Sequence, residues 1–138
     1  MLTISKKCKY GLKALLTLAE FYNKGLLSTK DIASRQDIPR QYLEQIFNQL
    51  GKADVIRSVR GKQGGYELAL PPEKITVAEV ITLLEGGIDF IQETYDPSDV
   101  THSLFHTAEA NLLETFNISL AELLSHHEKQ RQVIMYDI

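Results

Sequence analysis

One cysteine, no tryptophan, two methionines and four prolines stand in 138 residues. A lone Cys8 excludes an internal disulfide, and one chain with one thiol cannot build a cysteine-rich zinc or iron–sulfur site. No apolar run approaches the ~18 residues of a membrane helix. The opening Met1-Leu2-Thr3-Ile4-Ser5-Lys6-Lys7 leads into an amphipathic pattern, not into an apolar stretch with a cleavage site. A cytoplasmic protein without a signal peptide is therefore expected. Hydrophobic residues make up 43% and charged residues 24%, which excludes collagen-like, disulfide-rich and wholly disordered chains. The length suits one domain or two very small ones.

Basic residues are scarce in the second half. Residues 75–138 hold 2 Lys/Arg against 11 Asp/Glu, a balance of −9, whereas residues 1–74 hold 13 against 7, or +6. A net charge of −3 hides this asymmetry, which suggests two jobs in one chain. The basic part is a candidate phosphate-binding surface, and the alternative is a solvated basic face.

Lys6 to Lys24 reads as a helix, capped by Ser5 and stopped at Gly25, with Tyr10, Ala14, Leu15, Leu18, Ala19 and Tyr22 at helical spacing. Ser28 opens a short second helix to about Gln36, with Asp31 as its first-turn acid. Asp37-Ile38 forms a turn, and Pro39 is expected in the first turn of a third helix carrying Tyr42, Leu43, Ile46, Phe47 and Leu50. Such a helix pair is a weak signal alone. Val55–Arg60 and Tyr66–Leu70 then alternate around the turn cluster Gly61-Lys62-Gln63-Gly64-Gly65, which predicts a β-hairpin. Helix-turn-helix plus a basic hairpin is a winged helix, and glycines at the tip let its backbone approach a groove. Thr76–Glu79 and Ser119–Glu122 read as capping boxes opening two later helices, the first stopped by Gly86-Gly87 and the last ending near Glu128. Between them lie a loop over 88–101 and a helix over about 103–116; residues 129–138 read as a tail. The fold class is mostly α with a small β-hairpin wing.

At the wing, Ser58-Val59-Arg60-Gly61 followed by Gly64-Gly65-Tyr66 resembles the signature of the Rrf-two family of bacterial transcription regulators. Ser5-Lys6-Lys7 with Tyr10 looks like the family's opening, Tyr42-Leu43-Glu44-Gln45 like its recognition helix, and Leu84-Glu85-Gly86 like the end of its fourth helix. The resemblance spans nearly the whole chain and is strongest over residues 2–87. It implies a homodimeric DNA-binding regulator, usually a repressor, with a winged helix-turn-helix over residues 1–74 and a helical dimerisation and effector region over 75–138. A C-terminal dimerisation helix would pair through Leu104, Phe105, Ala108, Leu112 and Phe116, and the dimer would read a double-stranded palindrome. Cluster-sensing members carry three cysteines after the fourth helix; residues 88–106 here have none, so the cluster-free branch, which includes a cysteine-metabolism repressor, is the better likeness and no cofactor is expected. Asp54 stands where the family commonly has Gly, and Asp tolerates the left-handed conformation.

Gln41 and Glu44 match base-reading positions; Gln pairs with adenine and Glu accepts from cytosine. Arg60 matches the family's wing arginine, the type that enters a narrow minor groove. Lys6, Lys7, Tyr10, Ser28, Thr29, Lys30, Arg40, Tyr42, Arg57, Lys62 and Gln63 complete the candidate DNA surface, chiefly as phosphate contacts. Each lysine is otherwise an ordinary surface lysine. His102 and His106, at i and i+4, have zinc-chelating spacing, with Asp99 or Glu109 available and His126-His127 further on; the alternative is an exposed helical pair. Cys8 between Lys7 and Lys9 is a redox-sensor candidate if they lower its pKa, or else a small packing residue. Met135-Tyr136-Asp137-Ile138 resembles the tail of the family's cysteine-metabolism repressor and the serine acetyltransferase tail that plugs cysteine synthase. Cysteine synthase is therefore a candidate corepressor. The rivals are a winged-helix protein-interaction module and a thiol- or metal-responsive regulator. No nucleophile–base pair, Walker-type loop or supported carboxylate pair is present, so an enzyme is not expected.

Overall fold

The computed structural model describes residues 2–136, with the backbone alone for Tyr136. The partner-tail expectations at Asp137 and Ile138 lie outside the described residues. Among the described residues, six α-helices and one two-stranded antiparallel sheet make a mostly helical fold. Helix α1 (Lys6–Glu20) starts where predicted: the Ser5 hydroxyl accepts from the Cys8 N–H at 3.1 Å. It ends four residues before Lys24. Asn23 takes a left-handed φ of 61°, and the chain turns so that Leu27 can pair with the wing.

Helix α2 (Thr29–Gln36) has a reciprocal capping box between Ser28 and Asp31 and closes at a left-handed Asp37. Helix α3 (Arg40–Lys52) follows, with Pro39 one place earlier than expected, at the N-cap. Leu43, Ile46, Phe47 and Leu50 form its buried face, the 3–4 spacing of an amphipathic helix. Asp54, at φ 58°, turns the chain into the hairpin, the conformation the sequence admitted there. Strands β1 (Ile56–Val59) and β2 (Gly65–Leu68) pair from Ile56 opposite Leu68 to Val59 opposite Gly65. Leu27 adds a bridge on the other side of β2: its N–H donates to the Tyr66 carbonyl and its carbonyl accepts from the Tyr66 N–H at 2.7 Å.

After a turn of 3₁₀ helix (Pro72–Lys74), helix α4 (Val77–Glu85) is capped by Thr76 and stopped by left-handed Gly86. Helix α5 (Val100–Phe116) begins three residues before Ser103, because the Asp99 carboxylate accepts from both the Thr101 N–H and hydroxyl. Helix α6 (Leu120–Tyr136) runs on through the segment expected to be a tail. Residues 129–136 contain neither Gly nor Pro, so nothing stops propagation from α6. One hydrophobic core joins α1, α2, α3, the hairpin and α4, with Leu120 of α6 wholly buried in it. Helix α5 buries no residue completely. Among the described residues no helix is long and apolar enough to cross a membrane.

Candidate nucleic-acid interface

The first half of α3 presents Arg40, Gln41 and Glu44 to solvent while Leu43 and Ile46 anchor the opposite face. Tyr42 is half-buried and packs edge-on against Tyr10 of α1 at 5.2 Å between ring centroids. That contact fixes α3 to the helix whose opening turn carries Lys6 and Lys7. The wing is set beside α3 by Phe47 and Tyr66, whose rings lie 4.5 Å apart. Arg60, Lys62 and Gln63 are exposed at the hairpin tip. Ser28, Thr29 and Lys30 sit at the N-terminus of α2, where the capping box pairs the Ser28 and Asp31 N–H groups and the first-turn N–H groups between them have no intrahelical acceptor.

Gly64 and Gly65 have a reason internal to the protein. A Cβ on Gly64 would overlap the Val59 carbonyl oxygen, and one on Gly65 would stand 2.6 Å from that of Leu27. The paired glycines thus let three backbone segments pass at a distance no side chain permits. Arg57 is exposed but tied across the hairpin: its Nε donates to Glu67 on the paired strand at 2.8 Å. A groove between α3 and the wing is lined by Glu44, Asn48, Lys52, Arg57 and Ser58. Asn48 and Lys52 were not singled out from the sequence, and Ser58 only as part of the wing signature. The i, i+4 spacing of Glu44, Asn48 and Lys52 along α3 was the available signal.

The expected pairing face on α5 divides. Leu104 and Phe105 are exposed at 65% and 45%, and Val100 and Leu113 are exposed as well. Ala108 and Leu112 are half-buried, and Phe116 packs against the core.

Two side chains were read from the sequence as either sensors or ordinary packing and surface residues, and their surroundings differ from those a sensor needs. Cys8 is wholly buried. Burial and the neighbouring Glu85 carboxylate push its thiol up to about 11, and Lys7 pulls the other way too weakly to reverse this. A thiol activated by its lysine neighbours is not what this environment makes. His102 has both ring nitrogens engaged: Nδ1 accepts from the Asp96 N–H at 3.0 Å, and Nε2 lies 2.7 Å from Glu93. His106 packs on Tyr95 at 4.7 Å, and Glu109 accepts from the Phe90 N–H. The i, i+4 histidines clamp the loop 88–99 to α5. Among the described residues no group of three or more His, Cys, Asp or Glu is arranged to hold a metal. His126 and His127 lie exposed on α6.

Residues 4–128 match the family described as "Rrf2: Iron-dependent Transcriptional regulator". The chain belongs to the Rrf2 family. It is 31% identical over 136 residues to the regulator CymR of Bacillus subtilis, covering 98% of this chain and 99% of that protein. To IscR of Sodalis glossinidius it is 35% identical over 132 residues, covering 91% and 80%. The solved structure of B. subtilis CymR, described as the global cysteine regulator, superposes with a TM-score of 0.82 at 33% identity, covering 91% of this chain and 98% of that one. That of T. potens IscR gives 0.80 at 38%, covering 94% and 90%. These Rrf2 relatives are transcriptional regulators, not enzymes, and the shared fold is the winged helix. The chain is a DNA-binding transcription regulator of this family.

The family description names iron, and iron–sulfur clusters are held by thiolates. The donors here do not fit. The one cysteine is sealed in the core on α1, the loop 88–99 offers carboxylates, and His102 on α5 beside it is already engaged at both ring nitrogens.

Proposed function

We propose that this Rrf2 regulator is a cytoplasmic, cluster-free repressor that binds a palindrome as a homodimer. Residues 1–74 contact DNA, and residues 75–138 pair the subunits and receive the signal. Gln41 and Glu44 read bases in the major groove, and Arg60 enters the adjacent minor groove. Lys6, Lys7, Tyr10, Ser28, Thr29, Lys30, Arg40, Tyr42, Lys62 and Gln63 position the protein on phosphate. The observation that carries this reading is the exposure of Gln41 and Glu44 on a helix whose other face is locked in the core, beside an exposed Arg60. Arg57, tied to Glu67, takes a supporting role. Leu104 and Phe105 supply an apolar surface that α5 leaves uncovered, which suits a two-fold pairing.

The signal we assign is cysteine supply, with cysteine synthase as corepressor engaging Met135–Ile138. Similarity to a global cysteine regulator supports the class of signal. The continuous α6 supports the geometry by carrying Met135 outward, 76% exposed. The test is fluorescence anisotropy on the gene's own upstream DNA, with and without cysteine synthase, at two salt concentrations. Specific binding that weakens with salt and tightens with the enzyme is expected. Enzyme-independent specific binding would sink the corepressor and leave the repressor. Binding without sequence preference would favour the interaction-module reading. If deleting Met135–Ile138 leaves cysteine-synthase affinity unchanged, the tail has no part in it.

A further inference from the structure

A cavity of about 420 Å³ lies between the segment before α1, the end of α4, and α5. That volume is within the usual range for a small-molecule site. Its walls are mostly apolar: Ile4, Ile81, Ile88, Phe90, Leu112 and Phe116. The ionisable groups lining it are Glu85 and Asp89, with no Lys, Arg or His. Asp89 is committed to its own loop, where Oδ1 accepts from the Ile91 and Gln92 N–H groups. Glu85 is held instead by Ser5, a residue outside its own loop, so it is the carboxylate a ligand can draw away. An apolar body with one positive end complements such a lining, whereas an anion would be repelled.

Glu85 also reaches the DNA-binding half. Its Oε1 accepts from the Ser5 N–H at 2.9 Å and from the Ser5 hydroxyl. Ser5 is the N-cap of α1, so Glu85 secures the residue from which the Lys6–Lys7 turn departs. Any group that draws the carboxylate into the cavity competes with Ser5.

We propose that this cavity is an effector site for a small organic ammonium ion with an apolar body, held by Glu85 in competition with Ser5. Binding there loosens the start of α1 and so changes affinity for DNA. The coupling rests on the DNA-binding reading; the site itself does not. By linkage, operator DNA shifts amine affinity by the same factor that the amine shifts DNA affinity.

The test is methyl NMR of the full chain without DNA, titrated with phenethylamine and hexylamine against phenylpropionate and phenylethanol. The amines are expected to shift the Ile81, Ile88 and Leu112 methyl signals at millimolar concentration, and the acid is expected not to. Glu85→Gln should weaken amine binding by about tenfold or more, since it removes the charge from the hydrogen bond. Ser5→Ala should tighten it, because the competitor is gone. The opposite signs separate a site from a folding defect, and thermal melts of both variants confirm the fold. The site is overturned if no amine moves these signals, if the acid binds equally, or if Glu85→Gln binds undiminished. It is overturned too if the same signals shift with protein concentration alone, since a second copy then fills the cavity. Anisotropy with the amine present follows. Unchanged DNA affinity overturns the coupling, while loss of all specific DNA binding, with or without amine, counts against the regulator reading and not the site.

Discussion

Cys8 shows how one neighbour changes the chemistry of a side chain. In sequence it sits between two lysines, which favours a thiolate. In the fold its Sγ is sealed from water beside the Glu85 carboxylate, and both burial and that charge favour the thiol. Cys8 should therefore react with aromatic disulfide reagents only as fast as the chain unfolds, measured by absorbance in increasing urea. The folded pKa is raised from 9.0 to about 11, so ionisation favours the unfolded chain. Stability should fall as pH rises through that interval. Arg60 is the opposite case, exposed and without an ion-pair partner among the described residues. Arg60→Ala should leave the melting temperature unchanged and cost roughly 1–3 kcal/mol of binding to the operator if it reads a base, and equally on all sequences if it touches only phosphate. Anisotropy on operator and scrambled duplexes decides between the two. Glu85 carries a third residue-level expectation. Hydrogen bonds from Ser5 hold its carboxyl below the ordinary glutamate range. The stabilisation is therefore present at neutral pH and lost as pH falls below about 4.3, the unfolded value. Ser5→Ala should be less stable than the parent at neutral pH and converge with it in acid, read by urea denaturation.

Among the elements, the wing is the most exacting. Ile56 and Leu68, paired across its base, are the strand residues it buries, and their burial pins the register. Its position depends on the Leu27 bridge, which no local pattern announces. Gly65→Ala would drive a Cβ into the Leu27 backbone and should cost about 1–3 kcal/mol in denaturant unfolding. DNA affinity should fall with it, because Arg60 is carried by the same hairpin. Helix starts were legible where a side chain caps its own turn, as at Ser5, Ser28 and Thr76. Helix ends were less so. The first helix stops early because the chain must turn to meet β2, and α6 runs past its expected end because no residue there opposes a helix.

For the whole molecule, α5 is the element that a single chain leaves unfinished. Val100, Leu104, Phe105 and Leu113 are all exposed, and burying such side chains stabilises by roughly 1.5–3 kcal/mol each. Phe105→Glu should convert a dimer to monomers in sedimentation velocity and weaken binding to a palindrome far more than to a half-site. An unchanged sedimentation coefficient would remove α5 as the pairing surface. The uneven charge belongs to this scale as well: under the proposed reading the +6 half should attract phosphate and the −9 half should be repelled, orienting the molecule on DNA before contact.

Local pattern was enough for the winged helix and for the exposed face of α3, because capping, 3.6-residue periodicity and alternation depend on residues near one another in the chain, and short motifs were enough for the family resemblance. Contacts between distant segments had no such signal. The burial of Cys8 against Glu85, the His102 clamp on the loop 88–99, the tie between Arg57 and Glu67 across the hairpin and the cavity beside Ser5 each join residues that meet only after the helices pack. Their chemistry is set by distance and desolvation, quantities that arise when the chain folds back on itself.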